Sequence, residues 1–356
     1  MAEKILMKGN EAIGEAAIVA GCRHYFGYPI TPQTELTEYM SKRMPQINGV
    51  FLQAESEVAA INMVYGAAGA GARVMTSSSS PGISLKMEGI SYIAGAELPS
   101  VIVNIMRGGP GLGGIQPAQS DYFQATKGGG HGDYRTIVLA PNSVQEMVDT
   151  TILAFDLADR YRTPVMLLGD GALGQMMEPV EFSPPNTKQI AKPWAATGLR
   201  GRTEPNIVNS LHLQPEKLEL HNIHLQKKYA EITANEVRYE ELYTDDAELI
   251  VVAYGITSRI ARSSLEKARS EGLKVGMLRP ITLWPFPEKP LAALAAGKAS
   301  AFLTLELSAG QMIEDVRLAV NGAKPVHFYG RSGGMIPSTK EVYEQIANIF
   351  KGKEGR

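Results

Sequence analysis

Three residues that could bind or transform a small molecule each follow an apolar run typical of a strand. Thr31 lies in the segment YPITP, Glu57 ends the segment QAESE, and Arg107 opens the segment RGG. In a parallel sheet the carboxyl ends of the strands share one edge, and ligands usually bind at that edge. We therefore expect a hydroxyl, a carboxylate and a guanidinium to converge there, a set that suits a small anionic substrate.

Each of these residues also has a purely structural interpretation. Glu57 favours the N-terminus of the helix that it opens, Arg107 could be a surface ion-pair partner, and Thr31 could be a helix cap. All three are nevertheless predicted at one edge of one sheet. This common position favours a functional site.

A run of serines, from Ser77 to Ser80, is followed by Pro81 and Gly82 at a predicted strand end and helix start. Hydroxyls and helix amides in such a place suit hydrogen bonding to a polar ligand. Simple capping of the helix by serine explains the run equally well. A serine nucleophile is not expected, since the sequence contains no G-x-S-x-G motif and no histidine in a hydrolase context.

Two glycine motifs resemble known ligand loops. The segment from Gly109 to Gly114 has the form GxGxxG, but Pro117 is a poor start for the helix that a dinucleotide site requires. We expect a loop that brings backbone close to a ligand or a partner chain. The second motif, Gly169-Asp170-Gly171, could hold a metal that anchors a diphosphate, yet the residues after it lack further oxygen ligands. A strand-end turn is the better interpretation.

The composition gives little support for a metal site or an iron–sulfur cluster in this chain. The chain has one cysteine, Cys22, which excludes an internal disulfide and a cysteine-ligated iron–sulfur cluster. His212, His221 and His224 lie in an irregular segment without a nearby carboxylate or cysteine set, so no metal site is expected there. We expect no metal ligands in this chain.

The composition is that of a globular protein. Of the 356 residues, 44% are hydrophobic and 20% are charged. A net charge of -2 gives no reason to expect nucleic acid or an anionic membrane as a partner. The sequence shows no signal peptide and no apolar run long enough to cross a bilayer. A cytoplasmic location is expected.

Apolar runs and helical patterns alternate through the first half of the chain. The strand candidates are Lys4–Met7, His24–Tyr28, Val50–Gln53, Arg73–Ser77, Ser100–Met106, Thr136–Ala140 and Pro164–Leu168. The helix candidates include Thr31–Arg43, Glu57–Ala70, Ile83–Ala94 and Val144–Arg162. This alternation predicts an α/β fold with a largely parallel sheet and helices on both faces.

The pattern divides the chain into three parts. Residues 1–182 form the first α/β domain, and residues 183–243, rich in proline, read as a linker or subunit-contact insertion with a weakly helical piece at Leu225–Tyr239. Residues 244–356 resume the alternation as a second α/β domain. Four buried strands are predicted in it, in LIVVAYG, KVGMLRP, AFLTLEL and PVHFYG.

Nearly the whole chain resembles the pyrimidine-domain (alpha-type) subunit of the 2-oxoacid:ferredoxin oxidoreductases. The segments that carry the resemblance are GYPITPQTEL, FLQAESEVAAINMVYGAAGAGARVMTSSSSPGISLKMEG and MRGGPGLGGIQPAQSDYFQATKGGGHGDYR. The resemblance implies a thiamine-diphosphate-binding fold, with a pyrimidine domain followed by a transketolase C-terminal-like domain. Within the family the chain looks most like the 2-oxoisovalerate (branched-chain) type.

The same resemblance implies roles for the residues at the sheet edge. Glu57 would hydrogen-bond N1′ of the thiamine aminopyrimidine and, with Arg107, act in catalysis. The cofactor would also contact Pro29 and Ser80. The substrate would contact Thr31, Ile30 and Arg107.

The resemblance also implies a shared reaction. A diphosphate-binding thiamine subunit would hold Mg²⁺ and the diphosphate, while a gamma-type subunit and a ferredoxin-like iron–sulfur subunit would complete the complex. Iron–sulfur clusters would lie only on partner subunits, and the reaction would use a 2-oxo acid, coenzyme A and ferredoxin. Three alternatives stay open: a 2-oxoglutarate- or pyruvate-specific member, an E1 beta-type subunit of an NAD-linked 2-oxoacid dehydrogenase complex, and a scaffold subunit without chemistry.

Overall fold

The computed structural model describes residues 4–182 and 190–352 of the chain. Its strands are β1 (Ile5–Lys8), β2 (His24–Gly27), β3 (Val50–Gln53), β4 (Val74–Ser78), β5 (Ser100–Met106), β6 (Ile137–Leu139), β7 (Pro164–Asp170), β8 (Met177–Val180), β9 (Tyr239–Leu242), β10 (Leu249–Val252), β11 (Val275–Pro280), β12 (Thr282–Trp284), β13 (Ala301–Glu306) and β14 (Val326–Gly330). Its helices are α1 (Gly9–Val19), α2 (Thr34–Gln46), α3 (Glu57–Gly69), α4 (Pro81–Gly95), α5 (Tyr122–Thr126), α6 (Val144–Tyr161), α7 (Gly171–Gln175), α8 (Pro215–Asn235), α9 (Gly255–Ser270), α10 (Glu288–Ala296), α11 (Met312–Val320) and α12 (Thr339–Phe350).

The larger sheet has seven strands in the order β12-β6-β7-β5-β4-β2-β3. Neighbouring strands in this sheet run parallel to each other, except that β12 is antiparallel to β6. The central strands β5 and β7 are buried along their whole length, as expected where helices cover both faces of a sheet. The predicted α/β fold with a largely parallel sheet is therefore confirmed.

The second sheet has five strands in the order β14-β13-β10-β11-β9. Only β9 runs antiparallel to its neighbour, so the four strands predicted in the second half form a parallel array. The prediction that all four are buried is wrong for β14, whose residues are half-buried. The cause is position, because β14 is the edge strand and has a neighbour on one side.

Helices α2 and α8 begin at residues other than those predicted from the sequence. Helix α2 begins at Thr34 and not at Thr31, since a turn at Thr31 and Pro32 precedes it and the residue before a proline disfavours the helical conformation. Helix α8 is longer than the weakly helical piece predicted, because Pro215 starts it ten residues earlier.

The segment 183–243, predicted as a linker, has α8 and β9 in its described part, and residues 183–189 lie outside the described residues. Helix α8 buries Leu225, Tyr229 and Ile232 against the rest of the chain. Its histidines contact the end of α4: His221 Nε2 lies 2.7 Å from the Gly95 carbonyl oxygen, and His224 Nε2 lies 2.9 Å from Glu97 Oε1. In the described residues these histidines therefore take part in packing contacts.

The two sheets are joined by buried hydrogen bonds. Gln119 follows the glycine-rich loop after β5, and its side chain donates to the Tyr254 carbonyl (2.8 Å) and accepts from Leu307 N–H (3.0 Å). Strand β12 adds a second connection, since it leaves the second half of the chain to extend the larger sheet. Through residues 4–182 and 190–352, no helix is both long and apolar enough to cross a membrane.

Candidate active site

Glu57 lies where strand β3 passes into helix α3. Ser56 caps the helix, its hydroxyl accepting a hydrogen bond from Ala59 N–H at 3.2 Å. The cap fixes Glu57 as the first helical residue, and its side chain is 6% exposed. In the described part of the chain, no group donates a hydrogen bond to its carboxylate. A buried carboxylate without a partner is costly, so this position suits a ligand that donates to it.

Arg107 follows β5 and lies in contact with Thr31. Its Nη1 donates to the Thr31 carbonyl oxygen (3.0 Å), and its Nη2 donates to the Leu112 carbonyl oxygen (3.1 Å). The guanidinium is buried, its Nε has no hydrogen-bond partner, and no carboxylate of the described residues forms an ion pair with it. The surface ion pair considered for Arg107 is therefore not formed among residues 4–182 and 190–352.

The turn between β2 and α2 presents its residues to solvent. Pro29 and Thr31 are exposed, and Ile30 is half-buried with its carbonyl oxygen accepting a hydrogen bond from Gln33 N–H at 3.1 Å. The backbone of the turn is held by this hydrogen bond, and its exposed side chains are accessible to solvent. The turn therefore offers its side chains to a ligand next to Arg107.

A buried polar network supports this turn. The Gln33 side chain accepts hydrogen bonds from the hydroxyls of Ser77 (2.5 Å) and Thr37 (3.1 Å). The Tyr25 hydroxyl lies 2.6 Å from Ser77 Oγ and 2.9 Å from Thr37 Oγ1. Because each group has a partner, the network ties the turn rigidly to strands β2 and β4.

Ser80 is held tightly between β4 and α4. Its hydroxyl donates to Asp121 Oδ2 (2.6 Å) and accepts from Arg107 N–H (3.0 Å), and its own N–H donates to Asn104 Oδ1 (3.0 Å). Its φ of 32° lies in a region that non-glycine residues rarely adopt, a form of strain that concentrates at functional sites. Burial raises the pKa of the Asp121 carboxyl. Ser80 thus positions the Arg107 backbone.

The start of α4 brings further hydroxyls and Glu57 together. A Cβ built on Gly82 would lie 2.0 Å from Ser78 Oγ and 2.7 Å from Glu57 Oε1. Ser78 Oγ and Ser79 Oγ are buried and have no hydrogen-bond partner in the described part of the chain. Buried hydroxyls without partners are unusual and suit a polar ligand.

Asp170 of the Gly-Asp-Gly motif is fully engaged by backbone. Its Oδ1 accepts from Ala172 N–H (3.0 Å) and Leu173 N–H (3.1 Å), and its Oδ2 accepts from Ile256 N–H (3.3 Å). Burial raises the pKa of Asp170 to about 6. The carboxylate caps α7 and reaches the start of α9, which agrees with a strand-end turn.

Residues 15–243 match the family described as "Pyruvate flavodoxin/ferredoxin oxidoreductase, thiamine diP-bdg". Residues 247–342 match "Pyruvate:ferredoxin oxidoreductase core domain II". The chain is also 55% identical to the ketoisovalerate oxidoreductase subunit VorB of Methanothermobacter thermautotrophicus, over 97% of each chain. The chain belongs to the 2-oxoacid:ferredoxin oxidoreductases. It is an enzyme subunit, and its thiamine-diphosphate-binding region holds Glu57 and Arg107.

Other members of the 2-oxoacid:ferredoxin oxidoreductases are more distant. The 2-oxoglutarate synthase subunit KorA of the same organism is 36% identical, over 98% of this chain and 100% of that one. A solved structure of the 2-oxoglutarate:ferredoxin oxidoreductase of Magnetococcus marinus, with 2-oxoglutarate, coenzyme A and succinyl-CoA bound, is 27% identical. It superimposes with a TM-score of 0.87, over 98% of this chain and 65% of that one.

Three polar groups near the starts of α3 and α4 lack hydrogen-bond partners in the described residues: the Glu57 carboxylate and the hydroxyls of Ser78 and Ser79. Gly82 packs directly against Glu57 and Ser78. An acceptor and hydroxyls without partners suit a polar ring such as the aminopyrimidine of thiamine diphosphate. Sequence reasoning placed Thr31 and Arg107 together correctly. It included Ser78 in the serine run but singled out Ser80, because no pattern along the chain distinguishes Ser78 from its serine neighbours.

Proposed function

We propose that this chain is the cofactor-activating subunit of a coenzyme A-acylating enzyme that oxidatively decarboxylates a branched-chain 2-oxo acid, with 2-oxoisovalerate as the expected substrate. The observation that carries the proposal is the pair formed by Glu57 and Arg107. A buried carboxylate and a buried guanidinium, each without an ion-pair partner in the described residues, lie at the same edge of the sheet. The carboxylate suits the cofactor, and the guanidinium suits an anionic substrate.

Glu57 is proposed to hold a proton at N1′ of the aminopyrimidine ring. A carboxylate in a water-poor pocket binds that proton more strongly than one in water, because the low dielectric strengthens the interaction. Thiamine diphosphate, when bound, supplies the nucleophilic carbon and stores the electron pair released on decarboxylation. Pro29 and Ser80 are proposed to line the cofactor side of the site.

Arg107 is proposed to bind the substrate carboxylate. Two of its nitrogens are held by the carbonyl groups of Thr31 and Leu112, so the guanidinium is oriented before a ligand arrives. Its Nε–H has no partner, and Nη1 and Nη2 each keep a second N–H, so three donors are left for the substrate, assisted by the exposed Thr31 and by Ile30. Burial makes this charge costly, and an anionic ligand compensates for that cost.

The composition of the neighbouring loop supports a branched-chain substrate. Residues 108–119, GGPGLGGIQPAQ, contain no charged side chain, and their large side chains include Leu112 and Ile115. A second carboxylate, as in 2-oxoglutarate, would call for another cation at the site. The identity to a ketoisovalerate oxidoreductase subunit, 55% against 36% to a 2-oxoglutarate synthase subunit, supports the same choice.

The proposal assigns the remaining chemistry to partner subunits. A diphosphate-binding thiamine subunit holds Mg²⁺ and the diphosphate, which agrees with the engagement of Asp170 by backbone amides. A ferredoxin-like iron–sulfur subunit carries the clusters, because Cys22 is the one cysteine of this chain. A gamma-type subunit completes the complex, coenzyme A accepts the acyl group, and ferredoxin accepts the electrons one at a time.

The proposed division of labour within the chain follows the sequence boundaries. Residues 1–182 form the pyrimidine-binding domain, residues 183–243 the linker and subunit-contact insertion, and residues 244–356 the transketolase C-terminal-like domain. The candidate residues Thr31, Glu57 and Arg107 all belong to the first of these.

The test is an anaerobic assay of the complex formed by this chain with its partner subunits. A panel of 2-oxo acids is assayed for viologen reduction with and without coenzyme A. We expect reduction that requires coenzyme A and is fastest with a branched-chain acid. If viologen is reduced fastest with 2-oxoglutarate, the substrate is assigned as 2-oxoglutarate. If a complex loaded with thiamine diphosphate and iron–sulfur clusters reduces no viologen, the lipoamide-linked or scaffold alternative is favoured.

Glu57→Gln is the decisive variant, and Glu55→Gln is its matched control. Glutamine keeps the size of the side chain but cannot hold the N1′ proton as a carboxylate does, so we expect turnover to fall at least about 100-fold with the complex still assembled. Glu55 is exposed and two residues away, and its variant should keep wild-type turnover. Full activity of Glu57→Gln would falsify the assignment of Glu57.

A further inference from the structure

The glycine loop, residues 108–116 directly after Arg107, lies in contact with the loop that joins β14 to α12, residues 331–337. A Cβ built on Gly334 would lie 2.3 Å from Gln116 Cβ and 3.6 Å from Gln116 Cα. A Cβ on Gly108 would lie 3.4 Å from the Gly333 carbonyl carbon and 3.5 Å from Gly334 N. The β14–α12 loop of the second α/β domain therefore contacts the glycine loop at both of its ends.

The hydrogen bonds of the glycine loop connect this contact to the Arg107 guanidinium. Gly108 N–H donates to the Gln116 carbonyl oxygen (3.0 Å), and Gly114 N–H donates to the Gly108 carbonyl oxygen (2.8 Å). The Leu112 carbonyl oxygen lies within the loop that these bonds close, and it accepts from Arg107 Nη2 at 3.1 Å. A displacement of Gln116 is therefore transmitted to an acceptor that orients the guanidinium.

The glycine loop has no apolar packing of its own to fix it. Residues 109–116 are all exposed, and the two large apolar side chains among them, Leu112 and Ile115, are 84% and 56% exposed. A segment with few buried contacts opens easily unless a neighbouring element holds it. The contact with the β14–α12 loop supplies such an element.

The β14–α12 loop is itself anchored at both ends. At its start, Arg331 N–H donates to the Glu306 carbonyl oxygen of β13 (3.1 Å), and the Arg331 guanidinium forms an ion pair with Glu341 of α12. At its end, Ser338 caps α12, and its N–H donates to Glu341 Oε2 (2.7 Å). The loop is thus fixed by the second α/β domain and can serve as a support.

We propose that Gly334 is a positioning residue of the substrate site. Its lack of a side chain lets the β14–α12 loop support Gln116, and the glycine loop then presents the Leu112 carbonyl to Arg107. This inference rests on the proposed role of Arg107 in binding the substrate carboxylate. A guanidinium that is oriented before the ligand arrives binds it more tightly, because less freedom is lost on binding. The second α/β domain thereby sets the substrate affinity of a site carried by the first.

The test compares Gly334→Ala with Gly333→Ala in the assembled complex. Both glycines have positive φ, 94° and 66°, so alanine strains the backbone at either position, but a Cβ on Gly333 would meet no atom within 4 Å. We expect Gly334→Ala to raise the KM for the 2-oxo acid about tenfold, because a hydrogen bond to a charged group contributes about that factor. Its kcat should stay within about twofold of wild type, as for a loss of substrate binding alone. Gly333→Ala should keep the wild-type KM.

Removal of the opposing Cβ provides a rescue experiment. Gln116 is exposed, and Gln116→Gly deletes the atom that a new Cβ at position 334 would strike. We expect Gln116→Gly to return the KM of Gly334→Ala to within about threefold of wild type, since contacting residues are not additive. An equally raised KM with and without Gln116→Gly would show that backbone strain acts instead of the contact, and would overturn the proposal.

Two further measurements distinguish positioning from a general structural effect. The KM for coenzyme A and the Kd of thiamine diphosphate for the cofactor-free complex, measured by calorimetry, should keep their wild-type values in Gly334→Ala. A lower melting temperature and a lower kcat with an unchanged KM for the 2-oxo acid would overturn the proposal and leave Gly334 a structural residue. Should Gly334→Ala not assemble, Gly334→Asn and Gly333→Asn repeat the comparison, because asparagine tolerates positive φ better than alanine.

The outcome separates this inference from the proposed function. Arg107→Met removes the guanidinium itself and should raise the KM for the 2-oxo acid by more than Gly334→Ala does. If Arg107→Met raises this KM and Gly334→Ala does not, the substrate role of Arg107 stands and the positioning role of Gly334 is refuted. If Arg107→Met leaves the KM unchanged, the role of Arg107 fails and this inference fails with it.

Discussion

Gly82 lies in the first turn of α4, directly against two side-chain oxygens of the site. A Cβ there would lie 2.0 Å from Ser78 Oγ and 2.7 Å from Glu57 Oε1, closer than packed atoms approach. Gly82→Ala therefore has to displace Glu57 or move α4 away from β4. We expect kcat of the assembled enzyme to fall by about 100-fold, because a shift of the order of 1 Å at a reacting group has that effect.

Gly66 offers a matched control on the neighbouring helix. It lies in α3, and a Cβ on it would meet no atom within 4 Å. Gly66→Ala should keep wild-type kcat and stabilise the chain by up to about 1 kcal/mol, because alanine favours helix more than glycine does. Wild-type kcat in Gly82→Ala would contradict the close packing around Glu57.

The residues of the site could be predicted from the sequence where they directly follow a predicted strand. Thr31 and Arg107 were expected to meet because both follow parallel strands, and the structure shows that contact. The partnership of Ser80 with Asn104 and Asp121 was not predictable, because it depends on which strands become neighbours.

At the scale of elements, the crossing of α3 and α4 depends on Gly89. A Cβ on Gly89 would lie 2.5 Å from Ile61 Cγ2 and 2.7 Å from Ile61 Cγ1. Gly89→Ala should reduce the free energy of unfolding by about 1–3 kcal/mol through overpacking, although alanine is the better helix former. Urea titration of the purified protein measures the change.

A double-mutant cycle tests the cause of that loss. Ile61→Ala removes both contacting carbons, so it should cost less in the Gly89→Ala background than in wild type. Equal cost in the two backgrounds would mean that the helices separate for another reason. Glu57 lies on the same helix interface, so kcat should fall together with stability.

Long apolar strands were predictable, whereas two short antiparallel edge strands were not. The predicted strand over Ser100–Met106 matches β5, because a run of seven buried residues is a strong signal. Strands β9 and β12, four and three residues long, lie at sheet edges and were missed. Such strands form because a partner strand is available.

At the scale of the whole molecule, Asp170 links the two halves through a buried carboxyl. Its pKa is about 6 in the folded chain, against about 4 in an unfolded one. The folded state therefore binds this proton more tightly. The contribution to stability is fully present below pH about 4 and is lost as the pH rises through about 6.

Asp170→Asn makes that contribution measurable. The free energy of unfolding of wild type minus that of Asp170→Asn should fall by about 2 kcal/mol between pH 4 and pH 7, following the two-unit shift. Subtracting the free energy of unfolding of the variant from that of wild type removes the pH dependence that other carboxylates contribute to both proteins. A difference that is constant with pH would show that the Asp170 carboxyl keeps an ordinary pKa.

The three residues of β12 have a consequence for how the gene can be rearranged. The outer edge of β6 is paired with Thr282–Trp284, which the chain supplies well after the sheet's other strands. A recombination break between β8 and β9 would part β6 from this strand and leave an open edge prone to aggregation. A chimaera of two family members joined at this point therefore needs a β12 that matches the β6 it meets.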